Sequence, residues 1–289
     1  MKENLEFKKQ REFGEVITDT FQFIKQNFKP LLKVFVYLCG FFILASMLSA
    51  IVNLINMKDV VANPSNPRAQ LDKIFTVAYF LNILFYFLTF TAITVSTLCY
   101  ISLYVEKHNN PPSVEEVWSY FKYFFLRVLG SSIPNLLAMV VAFAACIIPG
   151  IYVFPALTLI YTVMIFENGS FAYSFRRAFK LANLDWWLTA ATMLIIFVIT
   201  YAAMLIPSIP SIVVSMATAF TPGSQGPNLT GMIIGTVIQY LFQFIAIFPL
   251  VGISFIYFNL VEKLENSGLL GRIQQMGETK DPHGSPEEY

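Results

Sequence analysis

The residues Leu188–Val261, LTAATMLIIFVITYAAMLIPSIPSIVVSMATAFTPGSQGPNLTGMIIGTVIQYLFQFIAIFPLVGISFIYFNLV, run for 74 positions without one Asp, Glu, Lys, Arg or His. A hydrocarbon core about 30 Å thick is crossed by roughly 20 apolar residues in a helix, so this stretch holds two spans and a connection. Ordinary water-soluble domains carry about 25% charged residues and have no use for such a run. The chain is therefore read as an integral membrane protein. Its spans are helices, because backbone N–H and C=O groups in lipid must be paired within the segment that carries them.

Composition extends this reading to the whole chain. Of 289 residues, 56% are hydrophobic and 13% charged. A transmembrane β-barrel would show segments of about 10 residues alternating apolar and polar, whereas these runs are apolar on every face. A net charge of +1 supplies no field for nucleic acid, which is not expected as a partner. Cys39, Cys99 and Cys146 lie in three apolar runs with no CxxC pair and are read as small buried apolar residues. The first 33 residues are too polar and too long for the n-region of a cleaved signal, so the first apolar run is read as an anchor that stays.

Working outward from Leu188–Val261, uncharged apolar runs give six spans, at about 34–56, 74–105, 128–148, 150–168, 188–217 and 232–261. The third and fourth are parted only by Pro149-Gly150. As one helix the uncharged stretch Val128–Phe166 would reach about 58 Å, too long for one membrane. Pro149-Gly150 is accordingly read as a tight hairpin turn. With that turn, Lys and Arg divide 16 to one side and 3 to the other, and the positive-inside rule places both termini in the cytoplasm.

Each cytoplasmic segment ahead of a pair of spans is amphipathic at helical spacing. Phe13, Ile17, Phe21, Ile24 and Phe28 share one face, as do Val114, Val117, Trp118, Phe121 and Phe125, and then Phe171, Phe175, Ala178, Phe179 and Ala182. Ser113 to Glu116 forms a capping box, and Asn168-Gly169-Ser170 is a turn followed by a good N-cap. These helices are expected to lie in the interface with aromatic residues down and cations toward headgroups, Trp186-Trp187 marking the level where the fifth span begins. The expected fold class is all-α: a polytopic membrane protein, six transmembrane helices in three hairpins, each preceded by an amphipathic interfacial helix. Residues 1–33 form a cytoplasmic N-terminal segment, 34–261 the membrane domain, and 262–289 a cytoplasmic tail whose end from Gly277 reads as disordered.

The run Ile148-Pro149-Gly150-Ile151-Tyr152, Pro155-Ala156, Glu167, Ser174-Phe175-Arg176-Arg177-Ala178 and Asp185-Trp186-Trp187 resembles the bacterial six-helix membrane domain that precedes glycerophosphodiester phosphodiesterase catalytic domains. It is equally similar to the stand-alone YciC-type membrane proteins. The likeness covers about residues 110–200 by motif and the remainder by hydropathy. It implies a hairpin, an interfacial helix and a Trp-rich re-entry, in a bacterial inner membrane. No hydrolase domain follows in this sequence, so the resemblance implies a fold and not a reaction.

Reactive parts are scarce. The two histidines, His108 and His283, lie in polar segments and are read as solvated, so a histidine-ligated metal centre is not expected. No cofactor is implied and no enzyme is expected. Glu106 and Glu167 fall at cytoplasmic span ends and are read as interface residues, while no span core holds the ionisable residue a proton relay uses. Pro155, Pro207, Pro210 and Pro249 fall inside spans and are expected to kink them. Asn135, Gln239, Gln243 and Ser254 either hydrogen-bond between helices or line a cavity for a neutral solute. Arg176, Arg177, Lys180, Lys122, Arg127, Lys29 and Lys33 are the expected headgroup contacts, with membrane lipids or another membrane protein as partner. Two functions remain open: a non-enzymatic inner-membrane protein acting on lipid or envelope organisation, and a transporter or channel for a neutral or lipid-like solute.

Overall fold

A computed structural model of the chain describes residues 5–57, 76–219 and 229–265. The connection near 57–73, most of the loop at 218–231, His283 and the end of the tail lie outside them. Among the described residues every regular element is helical. We label them α1 (Phe13–Asn56), α2 (Val77–Glu106), α3 (Val114–Ala145), α4 (Ile147–Phe166), α5 (Phe171–Ala182), α6 (Trp186–Leu205), α7 (Ile209–Ala219), α8 (Leu229–Leu241) and α9 (Ile247–Glu265). Short 3₁₀ turns join α6 to α7 at Ile206–Ser208 and α8 to α9 at Gln243–Ala246. Six helices are long and apolar enough to cross a membrane: α1 to α4, the stretch Trp186–Val213, and Gln243–Glu265.

Local chemistry marks four of the helix starts. Glu12 N–H donates to Glu15 Oε2 at 3.0 Å ahead of α1, and Thr76 Oγ1 accepts from Tyr79 N–H at 3.3 Å ahead of α2. Ser113 and Glu116 exchange hydrogen bonds of 3.3 and 2.7 Å, the reciprocal box read from the sequence, and Ser170 caps α5 through Tyr173 N–H at 3.3 Å. Two turns are made by residues in the left-handed region, His108 and Asn109 after α2 and Asn168 after α4.

The third amphipathic segment forms a helix of its own, α5, ended by Asn183-Leu184 before Asp185 takes an extended φ of −152°. The first two do not. They continue into the spans that follow as single helices of 44 and 32 residues, unbroken between Lys29 and Val34 and near Val128. Pro30 and Pro134 sit inside these helices without ending them. The Pro149-Gly150 turn also needs correction. The chain bends at Cys146 (φ −174°, ψ 155°), and Pro149 and Gly150 lie in the first turn of α4. A helix's first N–H groups have no intrahelical acceptor, so proline costs nothing there. Gly150 is needed for close packing: a Cβ would stand 2.5 Å from the Phe143 ring. Of the four prolines expected to kink spans, Pro207 sits in the 3₁₀ break, Pro210 and Pro249 in first turns, and Pro155 within an unbroken α4.

Packing is densest where α9 and the second half of α2 meet the first half of α1, with the second half of α4 set against α2 and α9. Val16, Thr20, Phe23, Asn27, Leu31, Val34 and Leu38 form one buried α1 stripe, at the three- and four-residue steps of a helix face. Toward the other end the apolar side chains turn outward, as at Phe41, Val77, Val141 and Ile148, each more than half exposed. Exposed apolar surface on this scale is what a bilayer covers.

Candidate functional site

Two regions carry polar groups that the core does not absorb, one around α5 and one between α1, α7 and α8. The first begins at Glu167, the residue capping α4. Its Oε1 accepts from Arg177 Nε at 3.0 Å and Tyr257 Oη at 2.9 Å, and its Oε2 from Tyr173 Oη at 2.5 Å. Arg177 also pairs with Glu265. Burial alone opposes charge on Arg177, but the bonds to Glu265 and Glu167 outweigh it and raise its pKa further. Tyr173 is held above its usual value mainly by donating to Glu167 and then by burial. Lys263 reaches Asp185 at 2.7 Å. Glu167 thus accepts three hydrogen bonds and ties α4, α5 and α9 together.

At the other end of α5, Asn183 Oδ1 accepts from Tyr152 Oη at 3.1 Å and Trp186 Nε1 donates to Tyr152 O at 2.9 Å. Tyr152 lies in the second turn of α4, so α5 runs back antiparallel along α4 and buries Ser174, Ala178, Leu181 and Ala182 on that side. Arg176 and Lys180 project from its exposed side.

The seven cations singled out from the sequence therefore separate. Arg177 is spent on Glu167 and Glu265. Arg127 donates to Asn168 Oδ1 at 2.8 Å and pins the α4–α5 turn. The other five, Lys29, Lys33, Lys122, Arg176 and Lys180, are exposed, and none forms an ion pair among the described residues. Exposed aromatic residues stand among them, including Phe28, Trp118, Tyr173 and Trp187, and Lys122 lies over the Trp118 ring at 5.7 Å.

Sequence reasoning missed the start of the chain. Leu5, Phe7 and Arg11 are buried against the helices rather than free in the cytoplasm. Phe7 stacks on Phe255 at 4.5 Å and meets Phe23 edge-on at 5.2 Å. Arg11 donates to the Phe7 and Lys9 carbonyls and pairs with Asp19 at 2.7 Å, while its own backbone N–H donates to Asn259 Oδ1 at 2.8 Å. One apolar residue between charged neighbours has no period to detect, so no local signal marked Phe7.

The second region is a cleft of about 480 Å³ bordered by Leu54 of α1, Ser211, Ile212 and Met216 of α7, and Met232, Thr236 and Gln239 of α8. Some other polar span residues are absorbed by bonds: Thr89 Oγ1 donates to Phe42 O at 2.9 Å, Cys39 and Ser96 meet at 3.1 Å, and Ser254 donates to Leu250 O, whereas Thr91 Oγ1, Thr94 Oγ1 and Asn135 Oδ1 are buried without a partner among the described residues. No group of three His, Cys, Asp or Glu converges among the described residues. No family model, no curated protein and no solved structure matches this chain.

Proposed function

We propose that this chain is a non-enzymatic, multi-pass protein of a bacterial inner membrane that acts on lipid or envelope organisation, alone or with a membrane partner. Both termini lie in the cytoplasm in this reading, and the kinship with the membrane domains of glycerophosphodiester phosphodiesterases and YciC-type proteins belongs to the same proposal. One observation carries it: five exposed cations, none of them in an ion pair among the described residues, stand beside exposed aromatic rings. Rings at the acyl boundary with ammonium and guanidinium groups in the headgroup layer are the chemistry of an interfacial anchor. Each such cation contributes about 1 kcal/mol near an anionic surface.

The test replaces Lys122, Arg176 and Lys180 with Gln in the full chain and measures phosphatidylglycerol retained through purification. Retention is expected to fall at least about tenfold, since three contacts of roughly 1 kcal/mol are removed. Unchanged retention in a folded variant overturns the reading. A carrier for a neutral or lipid-like solute is the second reading, favoured by the cleft beside the α6–α7 and α8–α9 breaks. Solute uptake or lipid scrambling in proteoliposomes above that of empty vesicles would select it.

A further inference from the structure

Between α1, α6 and α9, one helical turn in from the Asp185–Lys263 ion pair, the packing leaves a small cavity of about 10 Å³. Counted in the same way a single water needs about 10–15 Å³, so the space suits one water and nothing larger. Val16, Ile256 and Leu260 give it apolar walls, and all three are buried. The partly buried Phe13 and Leu188 complete that apolar lining.

Three polar side chains line the same cavity, Thr189, Thr192 and Asn259, and they are 3, 2 and 5% exposed. Bonds already made decide what each still has to give. Arg11 N–H donates to Asn259 Oδ1 at 2.8 Å, so the atom left over on that amide is its nitrogen, a donor. Thr192 Oγ1 spends its proton on Leu188 O at 2.7 Å and keeps its lone pairs. Thr189 Oγ1 has no bond of its own among the described residues and can give or take. A buried donor without an acceptor is costly. Water accepts and donates at once, which matches one donor, one acceptor and one hydroxyl able to serve as either. An ion does not fit, because no ionisable side chain lines the cavity to balance its charge.

We propose that a single structural water binds here, accepting from Asn259 Nδ2 and donating to Thr192 Oγ1 and Thr189 Oγ1, so that it joins the start of α6 to the end of α9. Asn259 is then engaged at both ends of its amide, by the N-terminal segment through Arg11 and by α6 through the water. Three elements meet at one side chain. The apolar contacts around it are non-directional, and the bound water supplies the directional link between α6 and α9 at this level. The site does not depend on where the exposed cations bind, so it stands or falls separately from the lipid reading.

The experiment places the full chain, carrying isotope-labelled asparagine, in phosphatidylcholine vesicles and measures magnetisation transfer from water protons to side-chain amides by solid-state NMR. Phe258-Asn259 is the one Phe-Asn pair in the sequence, and Gln26-Asn27 the one Gln-Asn pair, so labelled phenylalanine and glutamine carbonyls assign both signals without a variant. Asn27 is the internal control: it is as deeply buried, and its amide nitrogen donates to Phe23 O at 3.2 Å. Transfer to the Asn259 amide is expected to exceed transfer to Asn27 severalfold. Thr189→Val combined with Thr192→Val keeps the volume but removes both hydroxyls, and should bring the Asn259 transfer down to the Asn27 level. Transfer to Asn259 no greater than to Asn27 in the parent overturns the proposal, as does an Asn259 signal unchanged in the folded double variant.

Discussion

At the scale of single residues, Phe7 shows how much one side chain contributes when the helices leave a socket for it. It is 2% exposed and touches rings from α1, α2 and α9: Phe23, Tyr104, Phe255 and Phe258. Phe7→Ala is expected to cost about 3 kcal/mol, the scale of a buried aromatic lost to a cavity, read as a lower melting temperature in detergent. Tyr173 gives a pH dependence. Its phenol donates to Glu167 and its pKa is raised, so the stabilisation is complete below the usual value of 10 and is lost as pH rises through the higher folded value. Comparing tyrosinate titrations of the parent and Tyr173→Phe should show one late-titrating tyrosine missing from the variant. At this scale little of the site was legible. The seven basic residues were visible as a charge pattern, but Arg177 and Arg176 are neighbours of identical type. Only the fold decides that Arg177 turns to Glu167 while Arg176 faces outward.

At the scale of elements, hydropathy runs translate directly into helices because hydrocarbon leaves the backbone no other partner, and for that reason six apolar helices were legible, although the expected span 232–261 is divided into α8 and the stretch Gln243–Glu265. Helix interruptions were not. Pro149-Gly150 looked like a turn yet lies within α4, while Cys146, whose extended backbone makes the bend, carries no compositional signal. The reverse holds for α1, where charge at Lys25, Lys29 and Lys33 suggested a separate helix and the backbone runs through. Contact between elements depends on small residues at defined points. A Cβ on Gly252 of α9 would meet Ile196 of α6 at 2.6 Å, and Ile196 is fully buried. Gly252→Ala is expected to destabilise the protein by about 1–3 kcal/mol through overpacking, measured by thermal unfolding, and Ile196→Val in the same chain should recover part of the loss.

At the scale of the whole molecule, the three cysteines provide a test of layout. Cys39 and Cys99 are buried, whereas Cys146 is exposed at the bend between α3 and α4. On the proposed layout, with both termini in the cytoplasm, that bend would face the opposite side of the membrane. A membrane-impermeant maleimide added to intact cells stripped of their outer membrane should label the protein, and Cys146→Ser should remove the label. Labelling only after the membrane is opened would reverse the orientation. Packing is also uneven across the molecule, with ring clusters at the Phe7 end and open apolar surface at the Cys146 end. The end with the aromatic lock is the more tightly packed one, and the breaks at Pro207 and at Phe242–Ala246 lie away from it.

The socket for Phe7 sets an order of assembly. Its walls include Phe255 and Phe258, and Arg11 is held by Asn259 across a separation of 248 residues, so Phe7 and Arg11 find their places only after α9 has been made. A nascent chain stopped before α9 keeps Phe7 dangling beside an unfilled hole. Closure of the clasp thus reports that synthesis has run as far as α9.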